Sequence, residues 1–163
     1  MFGKITLICI GLSGSTMTLA EEPARMVNLK RLSLETAQEI ALGAVQACRQ
    51  QGIQIGVAVV DREGTVQALL RDTIAAPITA TISRQKAFTA VNFNAATSQL
   101  SARADTPIGR VPGLVMAAGG LPIQAGGMLL GGVGVSGAPS GETDEVCAQA
   151  GIDRVLDELE MSM

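Results

Sequence analysis

Histidine is absent from this chain, and so are tryptophan and tyrosine. Without an imidazole there is no Ser-His-Asp triad, no Cys-His pair and no His ligand for a metal. Acid–base work is left to carboxylates, Lys and Cys. Aromatics make up only 2% of the residues, so no platform exists on which bases could stack. Charge gives no help either: 12 basic residues against 15 acidic ones leave a net −3, and no basic stripe appears. Nucleic acid is therefore not an expected partner. The 47% of apolar residues are mostly small or branched aliphatics, enough for one core in a chain of 163 residues. Gly and Ala must let the elements approach closely.

The N-terminus carries Lys4, an apolar run Ile5 to Leu12, and a softer stretch ending Thr18-Leu19-Ala20. Small residues at −3 and −1 before Glu21 and Glu22 are those signal peptidase requires, so residues 1–20 are expected to be a signal peptide cleaved after Ala20. The run is too short for a stable bilayer anchor. No membrane span is expected after cleavage, and a periplasmic or secreted location follows. Residues 21–31 are polar and uneven and are expected to form a flexible arm before a domain over 32–160. Cleavage leaves Cys48 and Cys147, both on expected helices. In an oxidising compartment they either close a disulfide loop of about 100 residues or remain two buried thiols acting as small apolar residues.

Ser33 is placed to cap a helix whose apolar positions Leu34, Ala37, Ile40, Ala41, Ala44, Val45 and Cys48 keep helical spacing until Gly52. Ile53 to Val60 and Thr65 to Arg71 flank the turn Asp61-Arg62-Glu63-Gly64 as a hairpin. A helix should run from the loop ending at Pro77 to about Asn94, with Ile78, Ile82, Val91 and Phe88 inward and Arg84, Gln85 and Lys86 towards its polar side. A short helix is expected over Thr97 to Ala104, and a loop over Asp105 to Gly113. Leu121 to Gln124 and Met128 to Ser136 form a second hairpin around Ala125-Gly126-Gly127, with a further strand expected near Leu114 to Ala117. Glu142 to Glu160 reads as one closing helix. This order predicts an α/β fold with an antiparallel sheet of about five strands and helices packed on it.

The segment Gly119-Gly120-Leu121-Pro122-Ile123, followed by Gly131 through Ser136, Gly137-Ala138-Pro139-Ser140-Gly141 and Glu142-Thr143-Asp144-Glu145, resembles the GlcG/HbpS family signature. Val57 to Asp61 with Gly64, and Arg84 to Ala90, agree with it. The likeness covers Leu32 to about Leu159, and it extends to the related PduO C-terminal domain. It implies profilin-like α/β/α layers, assembly into homo-oligomers from dimers to octamers, and haem or corrinoid-related ligands in some members. Others are associated with the oxidation of small organic acids. Members that ligate haem iron often carry Pro-His-Thr where this chain has Pro77-Ile78-Thr79. Ile has no lone pair, which leaves Met116, Met128, a Cys or the weak Thr79 oxygen as axial ligands.

Gly132-Val133-Gly134-Val135-Ser136-Gly137 satisfies G-x-G-x-x-G, but it begins in the return strand of a hairpin. A dinucleotide fingerprint needs a βαβ context, so neither NAD nor FAD is expected, and close helix packing accounts for the glycines. The stretch Gly119 to Gly141 is nevertheless expected to rim a ligand site, with Gly119, Gly120 and Ser136 on it. Glu142 and Asp144 either complement the dipole of the closing helix or point into a pocket. Lys86 is either a solvated charge or the receptor for a carboxylate or haem propionate, paired with Glu142 or Asp144. Arg71 and Arg84 are weaker candidates for that task, and Thr79 offers a hydroxyl. Three functions are weighed on this set. The first is an exported binding protein for a small carboxylate-bearing molecule or haem. The second is an enzyme using Lys86 with Glu142 or Asp144 on a small oxo- or hydroxy-acid, and the third an accessory partner of a periplasmic oxidoreductase.

Overall fold

The computed structural model describes residues 25–163, so the expected signal peptide lies outside the described residues. Residues 25–31 have no regular structure, but Lys30 holds the carbonyls of Ser162 and Met163 and Arg31 bridges Asp61 and Glu63.

Helix α1 (Leu34–Gln50) opens on Ser33, whose hydroxyl accepts the Thr36 amide, and the chain leaves it through Gly52 at φ 73°. Strands β1 (Gly56–Asp61) and β2 (Val66–Arg71) follow as a hairpin, then helix α2 (Ile78–Phe93) ending on Asn94 in the left-handed region. Two short 3₁₀ segments, Thr97–Arg103 and Pro107–Arg110, lead to the hairpin of β3 (Gly120–Ala125) and β4 (Met128–Ser136). Helices α3 (Gly141–Asp153) and α4 (Leu156–Met161) close the chain.

The strands form one antiparallel sheet in the order β2-β1-β4-β3. Alternation along β1 and β4 splits the core. Val57, Val59, Val133 and Val135 face α1 and α3, with Ile40, Cys48, Cys147 and Ile152 completing that cluster. Ala58 and Val60 face α2 and meet Ala87 and Val91. The layers are therefore α/β/α. Cys48 and Cys147 are joined as a disulfide between α1 and α3, 99 residues apart.

Three expectations need correction. The sheet has four strands and not five: Leu114 to Ala117 forms no ladder, and Val115 gives its amide to Thr89 Oγ1 at 2.9 Å. Gly113 and Gly119, both at positive φ, turn this segment aside, and Pro122 marks β3 as an edge. The closing helix breaks at Arg154-Val155, which drops Val155 into the core and lets α4 lie along β3. Gly151 and the β-branched Ile152 and Val155 weaken helix propensity there.

The third correction is the rotation of α2. Ile78 is 58% exposed and Phe88 is half-buried, while Thr79, Ser83, Lys86, Ala87 and Ala90 turn inward. The reason lies opposite. Gly56, Gly120, Gly132 and Gly134 present bare backbone to α2, and an added Cβ would stand 2.6 Å from Thr79 Oγ1 at Gly56 and 2.7 Å from Ala87 O at Gly132. Where a helix is seated this close, small side chains face the glycines, while Lys86 passes into the gap left by Gly119 and Val91 packs on Ala58 and Val60. The G-x-G-x-x-G glycines therefore serve helix packing.

Candidate functional site

Lys86 rises from the inner face of α2 between β4 and the segment before β3. Its side chain is 6% exposed, and Nζ donates to Asp144 Oδ2 at 2.8 Å and Val135 O at 3.0 Å. Gly119, at φ 124°, leaves the space that Nζ occupies. Asp144, in the first turn of α3, takes the Ala138 amide on Oδ1 at 3.0 Å. Burial pushes the Asp144 carboxyl above its ordinary range, opposed by hydrogen bonds from Lys86 and the Ala138 amide. Lys86 and Asp144 thus clamp α2, β4 and α3 together around satisfied charges. Neither lines any of the three principal cavities.

Gly119 and Gly120 stand in the same knot. Gly119 gives its amide to Glu145 Oε1 at 3.2 Å, and Gly120 gives its own to Thr97 Oγ1 at 2.8 Å. Ser140 caps α3 by accepting the Thr143 amide at 3.2 Å. Glu142 stays in solvent at that terminus, its pKa lowered by a hydrogen bond from its own backbone amide and by the Ser140 hydroxyl. It does not enter a pocket.

A second group lies at the same end of the sheet. Gly56 pairs with Arg71 on one side and Ser136 on the other, so three strands present one row there. Ser136 is buried, and Thr79 lies over Gly56 with its hydroxyl on Ala76 O at 2.7 Å. Arg71 folds its Nη1 over the carbonyls of Asp72, Thr73 and Ala75, tying down the loop before α2. Ile74, within that loop, and Ile78, the first residue of α2, stand in solvent, 78% and 58% exposed. The nine site residues named from the sequence therefore divide, with Arg84 exposed on the outer face of α2. Lys86, Asp144, Gly119 and Gly120 form a sealed knot; Arg71, Thr79 and Ser136 share the row with Gly56; Glu142 stands apart.

Several residues went unread. Arg49 clamps Asp72 through Nε and Nη2, both at 2.7 Å, and these bonds draw the Asp72 pKa down to about 2. Glu145 also receives the Ser98 amide at 3.0 Å. Gln85 and Phe88, given no part in a site from the sequence, line a cleft on the outer face of α2 together with the candidate Arg84 and with Gly64, Pro112 and Gly113. The i, i+4 spacing of Arg84 and Phe88 was the available signal for that cleft.

The family model for haem degrading, HbpS-like proteins matches residues 32–153. No curated protein matches the chain. Among solved structures, a double mutant of HbpS from Streptomyces reticuli is 38% identical, covering 87% of this chain and 99% of that one at a TM-score of 0.77. A haem complex of PduOC is 28% identical, covering 76% and 94% at a TM-score of 0.70. The ORFY protein of Klebsiella pneumoniae shares the fold, at 23% identity and a TM-score of 0.75 over 82% and 96% of the two chains. With the model matched from Leu32 through both hairpins to the end of α3, the chain belongs to the HbpS-like family.

Proposed function

We propose that the protein is an exported, homo-oligomeric binding protein whose ligand is an apolar molecule bearing carboxylates, a porphyrin foremost. The observation that carries this reading is the exposure of Ile74, in the loop that Arg71 ties down, and of Ile78, the first residue of α2. Arg71 spends Nη1 on loop carbonyls, and its other guanidinium nitrogens have no partner among the described residues. An apolar face beside a cation suits a flat ring with propionates. The haem-bound PduOC relative and the haem-degrading description of the family favour the same ligand class. Export rests on the leader-like residues 1–20, and assembly on the resemblance to HbpS.

The residues do not fit a haem held by ordinary iron ligation. There is no His or Tyr, and the two described cysteines are bonded to each other. Met116 is buried, Met128 is exposed but stands at the opposite end of β4 from Ser136 and Gly56, and Thr79 directs its hydroxyl to a backbone carbonyl. Nor do the principal cavities among the described residues reach the size of a haem. The principal cavities measure about 130, 200 and 220 Å³, below the roughly 300–1,000 Å³ of drug-sized ligand pockets. Apolar contact and propionate pairing, not the iron, are the forces this surface offers.

Parallel titrations of the mature protein with hemin and iron-free protoporphyrin test this. Both are expected to bind saturably with similar affinity, and Ile78→Asp should weaken both by about tenfold or more. Ile78→His should tighten hemin alone and sharpen its Soret band. Spectra that never saturate, or wild-type binding of hemin but not of protoporphyrin, would overturn the reading.

A further inference from the structure

The outer face of α2 carries a cleft of about 130 Å³ lined by Gly64, Arg84, Gln85, Phe88, Pro112 and Gly113. We infer that this cleft is a binding site for a short monocarboxylate with an apolar tail, on the scale of two to four carbons. It is separate from the Ile74/Ile78 face and does not depend on it.

Four features carry the inference. Arg84 is exposed and makes no ion pair or hydrogen bond among the described residues, in a chain whose net charge is −3. Every other described Arg lining a principal cavity is engaged: Arg49 by Asp72, and Arg71 by three carbonyls. Glu63, next in sequence to the cleft residue Gly64, is engaged by Arg31, and among the described residues no carboxylate pairs with Arg84. Gln85 lines the same cleft, and its side-chain amide donors have no partner among the described residues.

The apolar wall is also specific. Gly64 at φ 84° lets the hairpin turn close on the Phe88 ring, where an added Cβ would stand 2.5 Å from Cδ2. The Pro112 ring lines the same cleft, beside Gly113 at φ 93°. A cation and an amide beside aromatic and pyrrolidine rings fit a carboxylate head and a hydrocarbon tail. A fully hydrated phosphate would find one cation and too few donors. Size sets the upper bound, because the cleft holds the volume of about four waters. That is room for an acid of about four to six non-hydrogen atoms.

The test is a titration of the full mature chain with propionate, followed by amide NMR, with 1-propanol and inorganic phosphate as controls. Saturable shifts are expected at the Gln85 side-chain amide and the Gly64 and Gly113 amides, with neither control producing them. Arg84→Met should weaken propionate by about tenfold, Arg84→Lys should retain part of the affinity, and Gln85→Glu should abolish binding by placing a like charge at the head group. Arg84 is in solvent, so an unchanged urea midpoint checks that its variants fold. Ile78→Asp should leave propionate binding intact, which separates this site from the porphyrin face. Shifts that do not saturate through the millimolar range, or equal affinity in Arg84→Met, would overturn the assignment. So would a loss of hemin binding in Arg84→Met while propionate is unaffected, since the cleft would then belong to the larger ligand.

Discussion

Withdrawing an ammonium group from water costs several kcal/mol, and only a well-made set of partners offsets it. Lys86 has such a set in Asp144 and the Val135 carbonyl, and Asp144 has its own in the Ala138 amide. Removing one member leaves the other charge buried and unpaired. Lys86→Met is therefore expected to destabilise the protein by about 3–5 kcal/mol, read as a fall in the urea midpoint. The double variant Lys86→Met with Asp144→Leu should recover part of that loss, leaving only the Ala138 amide and Val135 carbonyl short of partners. Ligand affinity in the double variant should match the wild type. A Lys86→Met protein of wild-type stability with weakened ligand binding would instead make Lys86 a receptor.

Helix α2 decides how the sheet is used, and its seating depends on what β4 lacks. A Cβ at Gly134 would intrude on Ser83 O and Ala87 N, which are backbone atoms and cannot rotate away. At Gly132 the nearest atom, Ala87 O, stands further off at 2.7 Å. Gly134→Ala should thus lower stability by about 1–3 kcal/mol through overpacking, and by more than Gly132→Ala. Equal urea midpoints for the two would refute this graded packing. The same contact explains what was and was not legible beforehand. The hairpins, the Ser33 cap and α1 stood out because alternation, turn residues and 3–4 spacing agree with tertiary burial there. In α2 the large apolar residues invite an inward reading, which holds for Val91, whereas Ile78 is exposed and the glycines opposite face the stripe Thr79, Ser83, Ala87 and Ala90. Local pattern cannot reveal that a strand distant in sequence has no side chains to offer. For the same reason the sequence left open whether Glu142 or Asp144 partners Lys86, and left the burial of the pair unread.

At the scale of the whole molecule, the Cys48–Cys147 bond joins the first and third helices across a span that contains all four strands and α2. Both helices cover the same face of the sheet, and both cysteines are fully buried in its core. The bond adds no new surface to that core. Its contribution comes from the unfolded chain, which can no longer separate two points nearly a hundred residues apart. Loop-closure entropy for such a span is worth about 4.7 kcal/mol when the native geometry is relaxed. Packing between α1 and α3 does not need the bond, because Gly151 sits against the Ile40 carbonyl and Ala44. Reduction should therefore leave a folded but weaker protein: circular dichroism unchanged without denaturant, and a urea midpoint shifted markedly downward in reductant. Under native conditions both thiols of the reduced form should resist alkylation until urea is added. A midpoint indifferent to reductant, in protein whose mass first confirms the oxidised bond, would show that the two helices hold the sheet by packing alone.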